Sequence, residues 1–212
     1  MGQSGSRKSG SKSSQRWLDE HASDPYVKQA AADGYRSRAV YKLIELNEKD
    51  HFIRPASIIL ELGAAPGGWT QYLSRCAGAK STIVASDILP MDGLPDVQFV
   101  PGDFTEQSTA DEISLVMKNR RADLVLSDMA PNISGIGVSD QARAMALVEL
   151  ALASAMEFLS PDGVFVVKVF QGAGFDDYMQ QVRKGFRSVK VRKPAASRAR
   201  SREVYVVARN LI

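Results

Sequence analysis

The stretch that decides the fold lies at residues 58–69, which read Ile-Ile-Leu-Glu-Leu-Gly-Ala-Ala-Pro-Gly-Gly-Trp. Its first part is a nearly continuous apolar run, which is typical of a strand buried on both faces. A glycine then breaks the run and small residues follow. Pro66 is expected to open a helix, a position that suits its fixed φ and its missing N–H. The pattern predicts a strand, a tight turn and a helix, the corner at which the backbone of a doubly wound α/β domain approaches a ligand.

Two common glycine motifs do not fit this turn. Ala65 stands where the dinucleotide fingerprint G-x-G-x-x-G requires a glycine, which counts against the competing interpretation, a nicotinamide-dependent oxidoreductase. A Walker loop is excluded because no Gly-Lys-Ser/Thr follows. The acid before the turn and the Pro-Gly-Gly-Trp after it instead resemble the first motif of S-adenosylmethionine-dependent methyltransferases.

Length and composition favour a soluble protein in a reducing compartment. The 212 residues are 44% hydrophobic and 24% charged, which is ordinary for one globular domain. No apolar run approaches the roughly 20 residues that span a bilayer, and residues 1–16 contain no signal-peptide core. Cys76 is the only cysteine, so neither an internal disulfide nor a cysteine metal cluster can form. We therefore expect a cytoplasmic protein with no membrane contact and no metal.

The N-terminal segment differs from the rest of the chain. Residues 1–16 are dominated by Ser, Gly, Lys and Arg and contain no acid, so we expect a disordered basic tail. Attraction to polyanions and a purely solubilising role both remain open for it. Residues 17–212 are expected to form a single domain, with a helical lead-in over 24–47.

Helices and strands alternate along that domain. Apolar periodicity predicts helices over 25–32, 37–47, 105–119, 140–159 and 175–184. Strands are predicted at 58–62, 82–87, 97–100, 122–128 and 164–169, near 189, and at 204–208, with a turn at 161–163. This alternation predicts an α/β, Rossmann-like fold whose mostly parallel sheet is flanked by helices.

Acidic residues stand at the end of three predicted strands or shortly after it. In a parallel sheet ligands lie beyond the carboxyl ends of the strands, and Asp87, Asp103 and Asp128 all fall there. Asp87, about 20 residues past the glycine turn, suits ribose hydroxyls, and Asp103 suits an adenine amino group. Single acids at such positions are often helix caps or turn formers, which is the alternative for each. The remaining cofactor contacts, around the methionine and the sulfonium, are expected from Gly63, Gly67 and Trp69.

Lys168 lies within an otherwise apolar strand. A charge there is expensive unless it is paired or functional, the alternative being an edge lysine whose amine reaches solvent. Asp128-Met129-Ala130-Pro131-Asn132 lacks the aromatic residue that methyltransferases of base amino groups commonly show there, so a base amine is a poor target.

Lys42, Asp128, Lys168 and Glu203, the tetrad, resemble the K-D-K-E set of RNA 2′-O-ribose methyltransferases. The resemblance extends to the FtsJ/RrmJ family, over about residue 16 to the C-terminus. It is carried by Arg-Ser-Arg-Ala at 36–39, the stretch at 62–69, Ser-Asp-Met-Ala-Pro-Asn at 127–132, Val-Lys-Val-Phe-Gln-Gly at 167–172 and Ser-Arg-Ala-Arg-Ser-Arg-Glu at 197–203. It implies the methyltransferase fold with an antiparallel last strand, and S-adenosylmethionine as cofactor.

Chemistry gives each member of the tetrad a role. A ribose 2′-hydroxyl is a poor nucleophile until a base removes its proton. We expect Lys168 to be that base, because burial and the neighbouring Lys42 disfavour its charged form. Asp128 would hold the ammonium after proton transfer and would also contact the cofactor, while Lys42 and Glu203 position the hydroxyl. His21 and His51 give no metal-ligand pair.

A basic surface is predicted near the tetrad. Nine Lys/Arg and no acid lie between Arg183 and Arg202, and Arg36 and Arg38 add to them. We expect RNA phosphate contacts, with a solvated sheet edge as the alternative. The resemblance implies that the protein acts on a uridine of large-subunit (23S) rRNA in the assembled 50S ribosomal subunit, and we expect it to be a monomer. A tRNA anticodon loop as substrate, and a non-catalytic RNA-binding or ribosome-assembly module, remain the alternatives.

Overall fold

A computed structural model describes residues 23–131, 134 and 137–212. The predicted basic tail and His21 lie outside these residues. The helices are α1 Pro25–Ala32, α2 Val40–Asp50, α3 Gly68–Cys76, α4 Gln107–Val116, α5 Gly137–Phe158 and α6 Phe175–Gly185. The strands are β1 Ile58–Leu62, β2 Thr82–Asp87, β3 Val97–Pro101, β4 Ala122–Ser127, β5 Leu159–Phe170, β6 Phe186–Arg192 and β7 Glu203–Leu211.

The strands form one seven-stranded sheet in the order β3-β2-β1-β4-β5-β7-β6. The contacts among β1 to β5 are parallel, whereas β7 runs antiparallel to both β5 and β6. The predicted α/β fold with an antiparallel last strand is therefore confirmed. Since β7 runs against β5, its first residue lies at the same edge of the sheet as the last residues of β4 and β5.

Helices cover both faces of the sheet because its central strands are apolar on both sides. Every residue of β1 is buried. Ile58, Leu60 and Leu62 pack with α4, α5 and α6, whereas Ile59 packs with apolar residues of α2 and α3. The same alternation in β5 turns Val164 and Val166, and hence Lys168, toward the α2 face.

Several predicted boundaries are corrected by local hydrogen bonds. Helix α2 starts at Val40 rather than residue 37, because the Ser37 hydroxyl accepts the Ala39 N–H at 3.1 Å and forms a turn. Its end moves to Asp50. Helix α4 starts at Gln107 because the Asp103 carboxylate accepts the Thr105 N–H at 2.9 Å.

Two further expectations are corrected around glycine and proline. Pro66 lies in the turn after β1, and α3 begins two residues later at Gly68. The turn predicted at 161–163 lies within β5 as an irregularity, where the pairing with β4 shifts register between Ala122 and Leu124.

Candidate active site

The tetrad comes together at the carboxyl edge of the sheet. Asp128 follows β4, Lys168 lies near the end of β5, and Glu203 begins β7. Lys42 approaches from the first turn of α2, which packs over this face. The four side chains are brought together because β4, β5 and β7 are neighbours and the reversed direction of β7 returns its start to the same edge.

The tetrad is arranged as two ion pairs. The Lys168 amine donates to the Asp128 carbonyl oxygen at 2.6 Å and lies 3.1 Å from its carboxylate Oδ1. The Lys42 amine lies 2.6 Å from Glu203 Oε1. The Lys168 side chain is only 8% exposed, so the alternative of an edge lysine whose amine reaches solvent does not apply. Pairing of each buried charge meets the requirement that desolvated charges have partners.

Tyr205 is a site residue that the sequence reasoning missed. It is fully buried, it is the cross-strand neighbour of Lys168, and its hydroxyl donates to Asp128 Oδ1 at 2.6 Å. Burial, reinforced by the nearby Asp128 and Glu203 carboxylates, raises its pKa well above the ordinary value, so the hydroxyl remains a donor. The sequence did contain a signal for Tyr205. It stands two residues after Glu203 in a predicted strand, and alternate residues of a strand share a face.

Opposing effects set the charge state of Glu203. Burial alone would raise the pKa of its carboxyl, but the charge and the hydrogen bond of Lys42 hold that pKa below its usual value. The Lys168 charge acts in the same direction. Glu203 is therefore a carboxylate at neutral pH, and its ionisation depends on the lysine across from it.

A cleft of about 520 Å³ adjoins the Lys168–Asp128 pair. Its lining is Gly63, Ala65, Asp87, Ile88, Leu89, Asp103, Phe104, Thr105, Asp128, Met129, Ala130, Pro131, Leu147 and Leu150. The size is that of a small-molecule site. The structure thus brings four predicted cofactor residues, Gly63, Asp87, Asp103 and Asp128, to one cavity.

The glycine turn forms one wall of this cleft. Gly63 has a φ of 75°, and a Cβ there would lie 2.3 Å from the Cγ of Met129. Asp87 braces the turn, since its Oδ2 accepts the Ala65 N–H and its Oδ1 accepts the Leu89 N–H, both at 2.8 Å. The backbone of the turn therefore approaches the cavity closely, and the Asp87 carboxylate holds it in place.

The other two predicted cofactor residues do not line the cleft. Gly67 is buried behind the turn. The ring of Trp69 lies in the core, 5.8 Å from that of Tyr205, and its indole N–H donates to the Ala39 carbonyl at 2.8 Å. The apolar ring of Trp69 is therefore buried against α2, and its predicted contact with the cofactor stays a prediction.

Glu61 is an unusual acid below the glycine turn. It is buried, and its Oε2 accepts the Thr70 hydroxyl of α3 at 2.7 Å. Burial raises its pKa to about 8, and the nearby Asp128 and Asp87 act in the same direction. Glu61 is consequently a neutral acid at pH 7, unlike the lysine-paired carboxylates of the tetrad.

The predicted basic run divides into parts with different surroundings. Arg183, Lys184 and Arg187 surround the start of β6, whose Phe186 pairs with Leu211 at the sheet edge opposite the tetrad. These three cations are therefore not beside the site, which corrects part of the prediction.

The middle of the run stabilises the fold. Arg192 binds both carboxylate oxygens of Asp50 at 2.7 and 2.8 Å, and Lys190 lies 3.5 Å from the same group. The Lys193 amine donates to the backbone oxygens of Ser201 and Glu203 at 2.5 and 2.7 Å. Hydrogen bonding to Arg192 outweighs burial and lowers the pKa of the Asp50 carboxyl.

The last part of the run lines a surface pocket of about 490 Å³. Its lining includes Arg38, Arg198 and Arg200, together with Tyr26 and with Asp24, whose carboxylate pairs with Arg38 and Arg198. The loop that carries Arg198 and Arg200 is fixed to α2, because Glu45 accepts the Ala195 and Ala196 N–H groups at 2.6 and 2.8 Å.

The described part of the chain shows neither a metal-binding cluster nor a membrane-spanning helix. Within residues 23–131 and 137–212, no three His, Cys, Asp or Glu side chains are grouped to hold a metal ion. None of the helices in those ranges combines the length and apolar character needed to cross a bilayer.

Comparison with known proteins gives a consistent result. Residues 35–211 match the model of the FtsJ-like methyltransferase family. "Ribosomal RNA large subunit methyltransferase E" of Marinobacter nauticus is 57% identical over 199 residues, which are 94% of this chain and 96% of that protein. The Pseudomonas aeruginosa protein of the same name is 55% identical over 199 residues, again 94% of this chain and 96% of the relative.

A solved structure shows the same architecture. The crystal structure of a Plasmodium falciparum protein superposes with a TM-score of 0.74 at 28% sequence identity, covering 84% of this chain and 98% of that one. The sheet order, the cleft beside the glycine turn and the matched family model all indicate the same family. The chain belongs to the family of FtsJ-like methyltransferases.

Proposed function

We propose that the protein transfers a methyl group from S-adenosylmethionine to the 2′-oxygen of a uridine ribose in large-subunit ribosomal RNA. The observation that carries this proposal is the Lys168 amine, buried at the edge of the cleft and 2.6 Å from the Asp128 carbonyl oxygen. The names of relatives that are 55–57% identical to the chain support large-subunit ribosomal RNA as the substrate. Such a substrate is met in the cytoplasm.

The cleft fits S-adenosylmethionine in its size and in the hydrogen-bonding groups of its lining. Gly63 lets the turn approach the ligand, since any Cβ there would collide with Met129. Asp87 and Asp103, both in the lining, would accept hydrogen bonds from the ribose and the adenine amino group. When bound, this cofactor supplies a methyl group already activated by its sulfonium.

Lys168 would act on the substrate hydroxyl. In its deprotonated form the amine would accept the 2′-hydroxyl proton, so that an O–H bond breaks and an N–H bond forms, and the 2′-oxygen would become a nucleophile for the methyl group that the cofactor would supply. The ammonium that results is stabilised by the carbonyl and carboxylate oxygens of Asp128, at 2.6 and 3.1 Å. General base catalysis of this kind typically contributes about 10²–10⁴-fold.

The second pair would position the ribose. The Lys42 amine lies 2.6 Å from Glu203 Oε1, and Lys42 belongs to the first turn of α2. A directed donor and acceptor beside Lys168 would align oxygen, methyl carbon and sulfur, and such alignment is a large part of catalysis between two bound reactants.

The RNA would approach over the pocket lined by Arg38, Arg198 and Arg200. If these residues contact phosphates, replacing Arg198 and Arg200 by Ala lowers RNA affinity and reduces the slope of log affinity against log salt by about 0.7 for each lost contact. An Arg183→Ala/Arg187→Ala variant at the opposite sheet edge is the matched control. Equal slopes in both double variants would contradict the proposed surface.

Substrate choice separates this proposal from its alternatives. Purified 50S subunits, naked 23S rRNA and tRNA are incubated with methyl-labelled cofactor, and labelled nucleotides are identified after digestion. We expect label at the 2′-oxygen of a uridine, with assembled 50S subunits the best substrate. Label in tRNA only would favour the anticodon-loop alternative. RNA binding without label in any substrate would favour a non-catalytic assembly module, which has no need of the buried tetrad.

A further inference from the structure

Arg36 has a fixed place beside the glycine turn. It lies between α1 and α2 in a segment that packs on the start of α3. Gln71 of α3 accepts the Arg36 backbone N–H at 3.0 Å and donates to the Gly34 carbonyl at 2.7 Å. The packing is close, since a Cβ on Gly68 would lie 2.8 Å from the Cβ of Ser37. The backbone of Arg36 is thereby held against α3.

The guanidinium of Arg36 connects two separate backbone segments. Its Nη1 donates to the Asp92 carbonyl at 2.7 Å and to the Pro66 carbonyl at 3.4 Å, and its Nη2 donates to the Gly93 carbonyl at 3.0 Å. Pro66 belongs to the glycine turn, whereas Asp92 and Gly93 belong to the loop after β2. Hydrogen bonds from a charged donor are stronger than neutral ones, so this connection is firm.

Both connected segments form walls of the cleft. Gly63 and Ala65 of the turn line it on one side, and Ile88 and Leu89 of the loop line it on the other. Ile88 and Leu89 are 71% and 59% exposed, so burial of these two side chains contributes little to the position of the loop. Polar anchors add to what holds the loop, and the Arg36 guanidinium supplies two of these hydrogen bonds.

Gly67 provides the space for this contact. Its φ is 98°, and a Cβ there would lie 2.8 Å from Arg36 Nη1 and 2.8 Å from the sulfur of Met91. Met91 belongs to the same loop after β2. The glycine next to Pro66 thus lets the guanidinium and the loop approach the turn together.

We propose that Arg36 is a positioning residue for the methyl donor, which holds the glycine turn and the loop after β2 at the spacing that the cofactor requires. This inference rests on the proposed function in one respect, the identity of the cofactor. It replaces the RNA phosphate contact predicted for Arg36 from its sequence context, because the guanidinium already donates to three carbonyl oxygens. A cleft whose walls are fixed before binding avoids the cost of ordering them on binding.

Calorimetric titration of S-adenosylmethionine without RNA tests the proposal. In Arg36→Ala the Kd is expected to rise by about tenfold, as for the loss of a charge-assisted contact. In Arg36→Lys a similar rise is expected, since one ammonium cannot span the three carbonyls. Arg75→Ala is the matched control: Arg75 Nη2 donates to Gly34 at 3.4 Å, on the same segment, and contacts neither wall. Its Kd is expected to stay unchanged.

An unchanged cofactor Kd in both Arg36 variants would overturn the proposal, whether or not RNA binding weakened. Thermal unfolding of each variant checks that it is folded, and Arg36→Lys answers the question if Arg36→Ala does not fold. Because the titration contains no RNA, a wrong RNA substrate leaves its outcome unaffected. Failure of the unaltered protein to bind S-adenosylmethionine would instead refute the proposed function.

Discussion

The two lysine–carboxylate pairs of the site share their chemistry and differ in how the fold holds them. Asp128 directly follows β4, Lys168 lies in the adjacent parallel strand β5, and the lysine reaches both a carbonyl and a carboxylate oxygen of Asp128. Lys42 of α2 and Glu203 at the start of β7 form an ion pair of 2.6 Å, which joins the helix to that strand. The first pair is built into the sheet beside the cleft, while the second depends on how α2 docks. We therefore propose that the first pair carries out the chemical step and that the second positions the substrate.

The largest expected effect is on the first pair. Replacing Lys168 by Ala removes the base, so methyl transfer is expected to fall by about 10²–10⁴-fold or more while the cofactor Kd changes little. Lys168→Arg keeps a charge but cannot give up its proton, and is expected to be equally inactive. Single-turnover transfer and cofactor titration measure the two quantities. Normal turnover in either variant would remove Lys168 from the mechanism.

A smaller effect is expected from the second pair. Lys42→Met is expected to lower kcat/KM by about 10–100-fold, because a positioning contact is lost and a buried carboxylate is left unpaired. Lys42 holds the pKa of Glu203 down, so that pKa is expected to rise in the variant, which NMR titration of the Glu203 carboxyl carbon measures. Lys49→Met, on an exposed part of the same helix, is the control. An unchanged Glu203 pKa in Lys42→Met would contradict the pairing.

Glu61 sharpens the comparison, as a buried acid whose partner is a hydroxyl instead of a lysine. Its pKa, raised by burial to about 8 from 4.5, means that the folded state binds more protons than the unfolded state between these values. The free energy of unfolding therefore decreases as pH rises through this window. Relative to Glu61→Gln, the unaltered protein is expected to lose up to about 1.4 kcal/mol per pH unit from pH 5 to 8. Denaturant unfolding measures this, and parallel curves for the two proteins would contradict it.

The smallest effect is expected at Tyr205. Its hydroxyl bonds Asp128 Oδ1 at 2.6 Å, but Lys168 already binds that residue at two oxygens. Tyr205→Phe removes one hydrogen bond of about 1 kcal/mol and keeps the ring packed on Trp69. A decrease of about threefold to tenfold in kcat is expected, with an unchanged RNA affinity. A loss as large as that of Lys168→Ala would mean that Asp128 depends on the tyrosine.

The elements of the fold were predictable because apolar periodicity is a local property. The alternation of strands and helices and the apolar β1 are confirmed. The antiparallel last strand is confirmed as well, but it was implied by the family resemblance and not by periodicity. Boundaries failed where a side chain bonds nearby backbone, as Ser37 and Asp103 do at the starts of α2 and α4. Such short-range competition is not visible in periodicity.

The sequence by itself determined which residue types stand at the carboxyl ends of the strands, because a parallel sheet places those ends together whatever the details of packing. Only the tertiary structure decided the partners. It paired Lys42 with Glu203 and placed the Arg36 guanidinium between the two walls of the cleft. It also placed Arg183 and Arg187 at the sheet edge opposite the tetrad. The physical reason is that contacts between groups far apart in sequence depend on how helices dock on the sheet and in which direction each strand runs. A run of like charges carries neither kind of information.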